Sequence, residues 1–105
     1  MLKILVIGDE GVTLPFRAVG IEAVFADNFK VARQALFEAA KREYGIIFIA
    51  ESVAQGCLDL IREISESKAL PIITIIPDLL LKEKGAAEQR LQELIRKAVG
   101  MELPE

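Results

Sequence analysis

Leu2-Lys3-Ile4-Leu5-Val6-Ile7 runs straight into Gly8-Asp9-Glu10-Gly11-Val12-Thr13, and a second apolar run, Ile21 to Ala26, follows Pro15-Phe16-Arg17-Ala18-Val19-Gly20. Apart from Lys3, the first run is continuous in apolar character rather than alternating, the pattern of a strand buried on both faces of a parallel sheet. A strand that ends in glycine and acidic residues is how an open α/β sheet begins. Such sheets carry their binding surface outside the carboxyl ends of the strands. Nucleotide binding, a phosphorelay receiver and a purely structural module all fit this opening, so the rest of the chain has to decide.

Outward from that stretch the pattern repeats. Gly8 to Leu14 reads as a loop, and Pro15 suits the first turn of a short helix through Val19, stopped by Gly20. Glu22 to Ala26 is a second strand. Asp27 or Asn28 can cap the next helix, where Phe29, Val31, Ala32, Ala35, Leu36, Ala39 and Ala40 recur at helical spacing. Lys41-Arg42 suit its last turn, and Gly45 ends the connection. Ile46 to Ala50 is the third strand and the expected centre of the sheet. Ser52 caps a third helix with Val53, Cys57, Leu60, Ile61 and Ile64 on one face. Leu70 to Ile76 is the fourth strand, with Pro71 tolerable at its beginning. Four strands alternating with helices imply an α/β fold, an open parallel sheet with right-handed crossovers. Residues 1–78 form the expected core. Residues 79–105 add the connection, a terminal helix and a tail to the same domain, with room to move.

Composition removes several function classes. A chain of 105 residues, 52% of them hydrophobic, has room for one modest core. Thirteen basic and 16 acidic residues are interspersed, giving a net charge of −3. Without a basic stripe, and with one tyrosine and no tryptophan, nucleic-acid binding is not expected. No apolar run approaches the roughly 20 residues that span a bilayer, and the apolar start lacks the build of a signal peptide. Direct membrane insertion is therefore not expected, and the cytoplasm is the expected location. The chain has no histidine, hence no imidazole base, ligand or pH sensor. Cys57 stands alone, so an internal disulfide and a thiolate metal cage are both excluded.

The strand ends are the natural place to look for chemistry. Gly8-Asp9-Glu10-Gly11 lacks the third glycine of a dinucleotide loop and sets two carboxylates where a pyrophosphate would approach. A phosphorelay receiver needs an aspartate at the end of the third strand, where this chain has Ile49-Ala50-Glu51, and a lysine after a fifth strand that the chain does not reach. Asp9, Glu10, Glu51 and Asp78 all follow strands and could gather along one edge. That leaves one alternative, a free-standing receiver-like domain that binds a small ligand or a metal with these acids, although no spacing specifies a cation. No catalytic residue and no cofactor is expected.

The terminal helix carries a different signal. Between Ala86 and Val99, Ala87, Leu91, Leu94, Ile95, Ala98 and Val99 make an apolar stripe. Glu88, Arg90, Gln92, Glu93, Arg96 and Lys97 cover the other side. Leu79-Leu80-Leu81 put three leucines in a connection where polar residues are expected, and Gly85 detaches the helix from the fourth strand. An apolar connection before an amphipathic helix has the look of a docking surface for partner helices. Its candidate contact residues are Arg90, Leu91, Glu93, Leu94, Ile95, Arg96, Lys97 and Ala98.

Four segments in order resemble the F subunits of the V-type (archaeal and bacterial A/V-type) rotary ATPases. Val6-Ile7-Gly8-Asp9-Glu10 followed by Phe16-Arg17-Ala18-Val19-Gly20 is similar to that family's I-G-D…G-F-R-L-A-G signature. Gly45 to Glu51 is similar to its G-I-I-x-I-T-E segment, and Leu70 to Pro77 to its L-P-x-x-x-x-I-P. Leu94 to Leu103 is similar to its L-[IV]-x-x-A-[IV]-G-x-x-L ending. Pro15 stands where a glycine usually precedes Phe-Arg, and Leu79 to Gly85 lacks the family's Gly-Pro-Tyr-type motif. The resemblance implies a small Rossmann-like domain and a non-catalytic place in the central stalk, peripheral to the membrane. It implies binding to the coiled-coil shaft protein of the stalk (the D subunit), contacts with the catalytic A/B ring, and regulation of ATP hydrolysis through the terminal helix. In that setting Leu91, Leu94, Ile95 and Ala98 supply apolar burial, against the domain's own sheet or the shaft. Arg90, Glu93, Arg96 and Lys97 set electrostatic fit.

Overall fold

The apolar runs become strands. The computed structural model describes residues 3–77 and Arg96. Within them β1 (Lys3–Gly8), β2 (Glu22–Phe25), β3 (Tyr44–Ala50) and β4 (Ile72–Ile76) form one sheet in the order β2-β1-β3-β4. Every neighbouring pair is parallel. Each strand lies within two residues of its expected bounds. β3 starts earlier than expected, because Tyr44 pairs with Lys3 and Gly45 sits inside the strand, where the register with β1 shifts. β4 starts later, after Pro71, which cannot donate to a ladder.

The helices are α1 (Glu10–Ala18), α2 (Phe29–Ala39), α3 (Glu51–Ala54) and α4 (Leu58–Ser67), with a single 3-10 turn, Gln55–Cys57, joining the last two. Right-handed crossovers and the strand order put α1 on one face of the sheet and α2, α3 and α4 on the other. Val6, Ile7, Val12, Phe16, Leu36, Ile47 and Ile49 have no exposed surface. Burying each such side chain contributes about 1.5–3 kcal/mol. The rings of Phe16 and Phe48 meet at 5.5 Å between centroids, tilted by 37°, and tie α1 to the middle of the sheet.

Two expectations are corrected. The first helix begins at Glu10, not Pro15, because Asp9 caps it: the Val12 N–H donates to the Asp9 carboxylate at 3.1 Å, and the Thr13 N–H donates to the Asp9 carbonyl at 2.9 Å. Pro15 therefore falls inside the helix, where it supplies no N–H. The third helix is broken rather than continuous, and Ser52 does not cap it, since α3 follows Ala50 with no side-chain cap bond. Of the two candidates for capping α2, Asn28 is the cap, accepting from the Val31 N–H at 3.0 Å.

Candidate functional site at the strand ends and the terminal segment

Among the described residues the strand-end acids do not act as a group. Asp9 is half-buried and its carboxylate is engaged by its own helix. Glu10 and Glu51 are exposed and occupy the first turns of α1 and α3, where a negative charge suits the helix dipole. Asp78 lies outside the described residues. Among the described residues no group of three His, Cys, Asp or Glu side chains could hold a metal ion. Nor does Gly8 leave room for a ligand. A Cβ there would stand 3.0 Å from the Ala50 Cβ and from a Val12 methyl, so Gly8 is the point where β1, β3 and α1 close on one another.

The α3–α4 junction is built from residues far apart in sequence. A Cβ at Gly56 would lie 2.5 Å from the Cβ and the Cγ of Phe29, so the start of α2 rests directly on this backbone. The Arg33 guanidinium donates to both oxygens of Asp59, at 2.8 and 2.9 Å, and to the Gly56 carbonyl at 3.4 Å. The hydrogen bonds from Arg33, and then the Leu60 backbone N–H, lower the Asp59 carboxyl pKa to about 2. The Cys57 thiol donates to the Val53 carbonyl at 3.5 Å and to the Phe29 carbonyl at 3.7 Å. Burial pushes its pKa up, the reverse of what an activated thiolate needs. In the sequence Cys57 and its neighbours read as one helix face, and the Arg33–Asp59 pair is invisible there, because no local pattern links residues that distant.

At the opposite edge Lys3, Glu22, Arg42, Glu43 and Tyr44 line a recess of about 350 Å³. The Tyr44 hydroxyl donates to the Glu22 carboxylate, and that bond raises the Tyr44 pKa. Lys3 reaches the same carboxylate at 3.7 Å. Glu22 thus takes both the Tyr44 hydroxyl and the Lys3 ammonium as partners. Of the expected contact residues, Arg96 is described, helical and exposed. Arg90, Leu91, Glu93, Leu94, Ile95, Lys97 and Ala98 lie outside the described residues, as does the Leu79-Leu80-Leu81 connection. Among the described residues no helix is long and apolar enough to cross a membrane.

Among the described residues, fold and side chains together define an open parallel α/β domain in which Asp9 caps α1 and Gly8 lets β1, β3 and α1 close on one another. The chain belongs to the family of the ATP synthase (F/14-kDa) subunit, whose model matches residues 4–95. It is 31% identical over 104 residues to the F subunit of the V-type ATP synthase of Clostridium botulinum, covering 96% of both chains. It is 36% identical over 108 residues to the F subunit of the A-type ATP synthase of Pyrococcus abyssi, covering 97% of this chain and 98% of that one. A crystal structure of the V-type ATP synthase F subunit from Archaeoglobus fulgidus superposes with a TM-score of 0.62 at 22% identity, over 71% of this chain and 96% of that one. This last likeness concerns the fold.

Proposed function

We propose that this chain is a non-catalytic subunit of the central stalk of a V/A-type rotary ATPase or ATP synthase. It binds the coiled-coil shaft protein, the D subunit, and helps couple ATP hydrolysis or synthesis to the movement of protons or sodium ions. Its place is peripheral to the membrane, on the cytoplasmic side, within reach of the catalytic A/B ring. The terminal helix contributes contacts through Arg90, Leu91, Glu93, Leu94, Ile95, Arg96, Lys97 and Ala98, and through them regulates hydrolysis.

The match to F-subunit relatives over nearly the whole of both chains carries this reading. The described side chains agree with it, since Asp9 caps α1 and the Cys57 thiol is buried. The alternative, a small-ligand or metal domain using Asp9, Glu10, Glu51 and Asp78, has to share the Asp9 carboxylate with the α1 N-terminus, where one of its oxygens accepts from the Val12 N–H.

A pull-down with the shaft protein tests the proposal, using the intact chain and a form ended after Gly85. The expected result is capture of the intact chain and weaker capture of the shortened one. Equal capture of both would remove the terminal helix from the interface. No capture of either would remove the shaft protein as the partner.

A further inference from the structure

We draw no further inference here: the strongest candidate, the exposed apolar surface patch that Phe25 at the end of β2 presents with Phe29 and Val31 in the first turn of α2, carries nothing because no feature among the described residues shows what covers it.

Discussion

Two strands in this molecule hand over to helices at the same edge of the sheet, and they do it by opposite means. At the β1–α1 turn everything needed is local: Asp9 satisfies the Val12 and Thr13 N–H groups within four residues of itself. At the β3–α3 turn no side chain caps the helix, which runs for four residues, tightens into a 3-10 turn and restarts. That second handover is organised from outside, by Phe29 and Arg33 on α2. A cap on a helix end is a property of its own segment, whereas a break can belong to the element packed across from it.

The contrast is most easily broken at Gly56. A methyl group there meets Phe29 at the Cβ and Cγ, atoms that no rotation of the ring moves aside. Gly56→Ala should therefore destabilise the domain by about 1–3 kcal/mol, as overpacking does. Urea denaturation would measure the loss. Phe29→Ala in the same chain should recover part of it, and a pair of strictly additive losses would show that the junction is not held by this contact. Cutting the local cap should cost less. Asp9→Ala is expected to remove about 1 kcal/mol, with Asp9→Asn retaining most of the stability because its amide oxygen can still accept from Val12. Equal losses in the two variants would place the value of Asp9 in its charge beside the helix end.

The same contrast explains how much of the fold is legible in the sequence. Ile4 to Ile7 and Ile46 to Ala50 identify themselves because a strand buried on both faces must be apolar along its whole length. The start of α1 is harder to read, because Pro15 is a common first helical residue and that cue outweighs the capping chemistry of Asp9. Once Val12 and Phe16 are buried on the sheet, a proline within the helix is tolerated. The break between α3 and α4 carries no local sign, since Gly56 reads as a mild helix weakener until Phe29 is brought against it. For Asp9, Glu10 and Glu51 the pattern locates the strand ends correctly, but position alone cannot tell a cap from a ligand. The expected docking residues of the terminal segment rest on periodicity and resemblance, with Arg96 as their one described member.

The smallest expected effect isolates the ion pair from the packing at the junction. Arg33 lowers the Asp59 carboxyl pKa to about 2, below its ordinary 3.8. A carboxyl whose pKa is depressed on folding adds stability above its unfolded pKa, and loses that contribution as the pH falls through the folded value. Asp59→Asn should therefore be slightly less stable than the unsubstituted chain near neutral pH. The gap should narrow below about pH 4 and close near pH 2. Because both side chains reach solvent, the gap should also shrink in 1 M salt. Urea melts at a series of pH values would follow it. A gap that stayed constant down to pH 2 would mean that Asp59 acts through a neutral hydrogen bond, and that the break in the third helix is set by Gly56 and Phe29 without help from charge.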